Sequence, residues 1–215
     1  MAIVVIGGHT RNIGKTSVIA SLIAATPELC WTAIKITQFG HGVCTANGEP
    51  CDCETADHPL AISEERDRAS GTDTSRYLAA GAVRSVWVRT RQGDLASAMP
   101  GVRREIARAE NVILESNSVL RFLQPDFYAS VLDPNVQDFK ASSLRYLDRA
   151  DAILLPSTEP EPGAWPGVSA QLISHIPRFI VPPPSYVSAA LCDLLREKMS
   201  DSGKKFPLGT KNSCT

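Results

Sequence analysis

The opening of the chain constrains its fold more than any other feature. A short apolar run, Ala2–Ile6, passes through Gly7-Gly8 and a polar turn into an apolar helical segment that starts at Gly14-Lys15-Thr16. Strand, glycine-containing turn and helix in that order make one βα unit, and the pattern recurs. Apolar, β-branched runs stand at Trp31–Ile36, Ser85–Arg89, Asn111–Leu114, Tyr128–Leu132, Ala152–Leu155 and Phe179–Val181. Segments with helical periodicity stand at Thr16–Ala25, Thr74–Ala80, Val102–Ala109, Phe139–Arg149, Val168–Ser174 and Ser185–Lys198. Continuous apolar strands alternating with helices belong to parallel sheets covered on both faces. The expected fold is therefore α/β, three layers deep, with a mostly parallel sheet of roughly seven strands and helices on both sides.

The 215 residues suffice for one such core, and residues 1–200 are expected to form a single domain. Two stretches break the rhythm. Thr37 to Ser70 is long and poor in large apolar residues, and reads as an insertion over about 38–70. Pro156 to Gly167 carries four prolines, Pro156, Pro160, Pro162 and Pro166, and reads as a rim loop. Residues 201–215 are polar and aperiodic, and are expected to be a disordered tail.

Charge is nearly balanced, 22 Lys plus Arg against 23 Asp plus Glu, with no long like-charge run. That argues against a nucleic-acid or anionic-membrane surface. The opening apolar run is too short for a signal peptide, and no apolar stretch approaches the ~18 residues of a membrane span. A cytoplasmic protein that meets a nucleotide, a small molecule or another protein is the expectation.

A strand feeding a glycine turn and a helix directs several backbone N–H groups, and the positive end of the helix dipole, at one point, where phosphate binds. The common pattern is G-x-x-x-x-G-K-[ST], in which Lys reaches the β- and γ-phosphates and the hydroxyl holds Mg²⁺. Here Gly14-Lys15-Thr16 ends correctly, but His9 stands where the first glycine belongs and Gly8 lies one residue early. The candidate phosphate-binding residues are Gly8, His9, Thr10, Arg11, Asn12, Ile13, Gly14, Lys15, Thr16 and Ser17. Lys35 is a charge inside the apolar strand Ala33-Ile34-Lys35-Ile36. Such a charge is tolerated where it emerges at the carboxyl edge of an open sheet, the edge at which ligands bind. Asn111-Val112-Ile113-Leu114-Glu115 likewise ends in a carboxylate, suited to Mg²⁺ together with Thr16. Lys15, Lys35 and Glu115 are the catalytic candidates. Asp133, before Pro134, reads as a turn residue.

The loop Gly8-His9-Thr10-Arg11-Asn12-Ile13-Gly14-Lys15-Thr16, with five residues between its glycines and Thr10 in place, resembles the G-T-x-T-x-x-G-K-T loop of dethiobiotin synthetases. Gly71-Thr72-Asp73-Thr74-Ser75-Arg76 through Ala80-Gly81-Ala82 is similar to the Gly-Lys-Asp-Ser…Arg…Ala-Gly-Ala segment of the molybdopterin-guanine dinucleotide biosynthesis B family. Both families end a strand in a lysine like Lys35 and another in Val-Glu-Gly, although here Ser116 replaces the glycine. The resemblance covers about the first 120 residues. It implies a P-loop NTPase fold, ATP or GTP with Mg²⁺, Glu115 on the metal side, and a homodimer. Asp73 and Ser75 fall at a helix N-terminus, where they cap it or meet ligand. No Asn-Lys-x-Asp segment follows Ile153-Leu154-Leu155, so guanine specificity is unsupported; adenine read by the main chain of the proline-rich loop is the alternative, and the sequence leaves ATP and GTP both open.

Cys44, Cys51 and Cys53 lie with His41 and His58 in eighteen residues, a set that suits zinc or an iron–sulfur cluster as a staple for a loop with few apolar groups. Following the strand of Lys35, the insertion is placed to overhang the substrate side of the phosphate site. Two functions are consistent with these residues. One is Mg-dependent nucleotide hydrolysis or phosphoryl transfer to a small acceptor, as in dethiobiotin synthetases. The other is a nucleotide-dependent accessory or adaptor protein in molybdenum or other metal-cofactor biosynthesis.

Overall fold

The computed structural model describes residues 1–40, 60–157, 165 and 167–205. Its strands are β1 (Ile3–Gly8), β2 (Trp31–Phe39), β3 (Leu60–Glu64), β4 (Arg84–Arg91), β5 (Asn111–Glu115), β6 (Phe127–Val131), β7 (Ala152–Leu155) and β8 (Arg178–Ile180). Its helices are α1 (Lys15–Ala25), α2 (Asp73–Ala79), α3 (Leu95–Ala107), α4 (Ala141–Leu144), α5 (Ala170–Ile173) and α6 (Ala189–Lys205). The strands form one eight-stranded sheet in the order β3-β4-β2-β5-β1-β6-β7-β8. Every pairing is parallel except that of β3 with β4.

Side chains alternate across a strand, so the central strands feed two cores. Val4, Ile6, Ala33 and Ile113 point to one face, where they meet Val18, Ile19 and Leu22 of α1 and Leu191 and Leu195 of α6. Val5, Ile34, Val112 and Leu114 point to the other, against Met99, Val102 and Ile106 of α3. Burial on both faces explains why β1, β2 and β5 read as unbroken apolar runs. The α/β expectation holds, with one strand more than expected.

That strand is β3, inside the stretch read as an insertion. It is a short edge strand whose residues are intermediate or exposed, with Ile62 36% accessible; an edge strand with one wet side shows no apolar run to find. Helix α3 begins at Leu95 and carries Pro100 in its interior. Burying Leu95, Ala98 and Met99 ahead of the proline outweighs the hydrogen bond that Pro100 cannot donate. Between Phe139 and Arg149, helix is confined to Ala141–Leu144 and a 3₁₀ turn at Leu147–Arg149, because Lys140 is extended and its N–H bonds the His9 carbonyl at 2.8 Å. Helix α6 starts only at Ala189, after Tyr186 at φ 48°, and continues through Lys205, into the stretch expected to be a tail. Among the described residues no helix is long and apolar enough to cross a membrane.

Candidate functional site

β1 and β6 run side by side up to Gly8 and Val131, and the loop then departs. Asn117, two residues past β5, clamps the point of departure. Its Oδ1 accepts from Gly8 N–H at 2.9 Å, and its Nδ2 donates to the Gly8 carbonyl at 2.7 Å. The loop turns twice in the left-handed region, at Asn12 (φ 57°) and Gly14 (φ 90°). Asn tolerates that region and Gly adopts it freely. A side chain at Gly14 would also strike Tyr186, whose Cε1 lies 3.0 Å from the position of a Cβ. Helix α1 begins directly after Gly14 with no side-chain cap and no acid in its first turn. Its first N–H groups and its dipole are therefore directed at the loop interior.

His9, expected among the phosphate contacts, has its side chain in the core and not in the cleft. It is fully buried, with Nε2 3.0 Å from the Val136 carbonyl and Nδ1 3.4 Å from that of Val131. Its ring packs on Phe139 and Trp165 at centroid distances of 5.2 and 5.9 Å. Burial lowers its pKa. The residue that exceeds the common spacing is thus accommodated inward, and the connector after β6 straps the loop. Thr10 donates its hydroxyl to Asp138, and Lys140 N–H bonds the His9 carbonyl.

Lys15 folds back so that Nζ donates to the Thr10 carbonyl at 2.7 Å. Burial lowers its pKa to about 8, with the neighbouring Lys140 and Lys35 pushing the same way and Glu115 opposing. Lys35 is the fifth residue of β2, yet it sits at the carboxyl edge in the sense that matters, since its register partner is Glu115, the last residue of β5. Its ammonium pairs with Asp73 and with Glu115 Oε2, the latter at 3.3 Å. Glu115 is 7% exposed, and the same Oε2 also accepts from Thr16 Oγ1 at 3.1 Å and from the hydroxyl of buried Tyr77. Desolvation of Tyr77 and the nearby carboxylate raise its pKa well above the ordinary value, so it stays a donor. Three donors on one oxygen hold the carboxylate in place and leave Oε1 outside this set.

The alternatives at the start of α2 separate cleanly. Thr72 is the N-cap, accepting from Ser75 N–H at 3.0 Å, and Ser75 Oγ bonds back to the Thr72 carbonyl at 2.8 Å. Asp73 is thereby left to face Lys35. Asp133 is a turn residue, its Oδ1 accepting from Asn135 N–H at 2.9 Å. His41, Cys44, Cys51, Cys53 and His58 lie outside the described residues. Among the described residues, no group of three or more His, Cys, Asp or Glu is placed to hold a metal.

These parts enclose a cleft of about 900 Å³ lined by five cationic side chains, Arg11, Lys15, Lys35, Arg76 and Lys140, and two carboxylates, Asp73 and Glu115. Excess positive charge in a concave site of a chain whose net charge is −1 concentrates anions there. Asn117, Tyr77, Asp138, Lys140 and Tyr186 join the site without being singled out by the sequence. Asn117, two residues after the strand-end acid, is the most accessible of them to pattern reasoning.

A mostly parallel sheet in which central strand β1, between β5 and β6, runs through a glycine turn into α1 has the arrangement of the P-loop NTPase fold. No protein-family model and no curated protein matches the chain. Among solved structures the chain is similar to HypB from Helicobacter pylori in complex with nickel, at 14% identity and a TM-score of 0.49, over 97% of this chain and 90% of that one.

Proposed function

We propose that the cleft binds a nucleoside triphosphate with Mg²⁺ and that the protein hydrolyses it or transfers its γ-phosphoryl group to a small acceptor. The observation that carries this reading is the convergence of Lys15, Thr16, Lys35 and Glu115 on the mouth of a glycine turn that opens a helix. In this assignment the loop amides and Lys15 hold the β- and γ-phosphates, and Lys35 steadies charge on the transferred group. Thr16 and Glu115, with Asp73 near, are hard oxygen donors of the kind Mg²⁺ takes alongside phosphate and water, so the residues present fit that ion. When bound, Mg²⁺ supplies charge neutralisation on the phosphate oxygens.

A second hollow of about 440 Å³ adjoins the loop through Asn12, Ile13, Gly14 and Tyr186, and is walled by Asp133, Asn135, Pro156, Ser157, Pro182 and Pro183. We assign it to the base. Adenine is proposed over guanine because no Asn-Lys-x-Asp segment follows β7 in the sequence, with the main chain beside Pro156 and Pro182 and the side chains of Asp133 and Asn135 available to the base. Titration calorimetry with Mg·ATP and Mg·GTP tests both parts. ATP should bind more tightly; tighter GTP binding would overturn the base assignment, and binding of neither would overturn the whole reading.

The pH dependence comes from Lys15. Its pKa near 8 in the free loop means that its charge is lost as pH rises through that value, whereas contact with phosphate favours the charged form. Affinity for Mg·ATP should therefore fall about tenfold between pH ~7 and pH ~9, with close to one proton taken up per ligand at the upper end. Calorimetry in buffers of different ionisation enthalpy measures the uptake. A flat affinity profile without uptake would mean that Lys15 does not meet the phosphates.

A further inference from the structure

The cleft does not end at the phosphate loop. On the side away from Tyr186, its wall of Gln38, Gly93, Ser118 and Ser142 is shared with an annex of about 130 Å³. Leu95, Phe122 and Tyr146 give the annex an apolar lining, and Arg121 and Arg145 complete it. The two arginines come from different elements, the 3₁₀ turn after β5 and the end of α4. Arg149 ties those elements together, its guanidinium 5.5 Å from the Tyr146 ring and its Nη1 donating to the Leu120 carbonyl at 3.2 Å.

Charge distinguishes this annex from the rest of the cleft. Asp73 and Glu115 offset two of the five cations of the main cleft, but no acid lines the annex. Among the described residues neither Arg121 nor Arg145 forms an ion pair, while Arg84 is held by Glu64 and Glu105 and Arg196 by Glu28. The Arg121 guanidinium lies 5.6 Å from the Phe122 ring, an arrangement that leaves its N–H edge available. Guanidinium groups match carboxylate and phosphate oxygens in two-point hydrogen bonds. Apolar walls beneath them suit a short hydrocarbon or aromatic body, and the serine and glutamine neck suits a polar group at its other end.

We propose that the annex seats the anionic end of the second substrate, a small molecule with a short apolar or aromatic body that ends in a carboxylate or phosphate. Its reactive group lies in the neck by Ser142, toward Lys15. This proposal rests on a nucleotide occupying the remainder of the cleft.

The test uses the full chain with its phosphate loop filled by Mg·AMP-PNP, and three probes of one shape: phenylacetate, phenyl phosphate and uncharged phenylacetamide. Ligand-observed NMR titration should show at least one acid binding ten times or more tightly than the amide, and which acid it is assigns the anion. Changing both surface arginines, Arg121→Gln with Arg145→Gln, should weaken that acid at least tenfold and leave AMP-PNP affinity within twofold of wild type. Equal binding of acid and amide, no binding of either acid, or full acid affinity in the double variant would each overturn the proposal. If wild type does not bind AMP-PNP, the nucleotide reading fails separately. The same titrations on the ligand-free protein then decide the annex by the same criteria.

Discussion

A Gly7→Ala protein should lose about 2–4 kcal/mol of stability and bind nucleotide much more weakly. Nothing about the Gly7 backbone requires glycine; the constraint is space. A Cβ there would stand 2.0 Å from Asn117 Oδ1, with Tyr128 Cε2 at 3.0 Å and the Tyr128 hydroxyl at 3.1 Å closing the other side. Tyr128 is 2% exposed and cannot yield, so Asn117 must leave. Its departure breaks both hydrogen bonds to Gly8, strips partners from the last residue of β1, and frees the near end of the phosphate loop. Urea denaturation of the variant measures the first effect and titration with Mg·ATP the second. A stability change below about 0.5 kcal/mol would show that Asn117 is not the clamp we describe.

Glu115→Gln separates chemistry from folding. The amide fits the same space, and Lys35 keeps Asp73 as its partner, so stability should change little. The carboxylate charge beside Thr16 is lost, and with it the donor set that suits Mg²⁺. Mg-dependent turnover should fall about a hundredfold or more, equivalent to roughly 3 kcal/mol of transition-state stabilisation, and the Mg²⁺ concentration needed for half-maximal rate should rise. A variant with wild-type turnover and wild-type Mg²⁺ requirement would remove Glu115 from the site.

The parts of the fold and site legible in the sequence are those where physics acts locally. Strands buried on both faces advertise themselves as apolar runs, so the central sheet can be read from β1, β2 and β5 alone. The glycine turn before Gly14-Lys15-Thr16 is visible from its residues alone, and the lone charges Lys35 and Glu115 stand out because apolar strands do not tolerate charge without cause. β3 is not legible, since an edge strand needs no apolar run. Nor is the inward turn of His9, which depends on Val136, Phe139 and Trp165, more than a hundred residues along the chain. Tyr77 and Asn117 are hidden for the same reason. Each matters through one partner in space, Glu115 or Gly8, and the sequence around each is consistent with ordinary core and loop. Asp73 is half legible: its place at a helix start is plain, and only the capping by Thr72 shows that it is left to face Lys35.

We propose that the residues gathered around the loop of Gly8 to Thr16 act on a Mg-bound nucleoside triphosphate. The most direct measurement is γ-phosphate release from Mg·ATP, with binding followed in parallel, for wild type and Lys15→Ala. Wild type should bind and release in a Mg-dependent way, with release reduced at least a hundredfold in the variant. Binding without appreciable release by wild type would favour a nucleotide-dependent adaptor over an enzyme. Release that continues unchanged in Lys15→Ala, or wild-type protein that binds no nucleotide, would contradict the proposal.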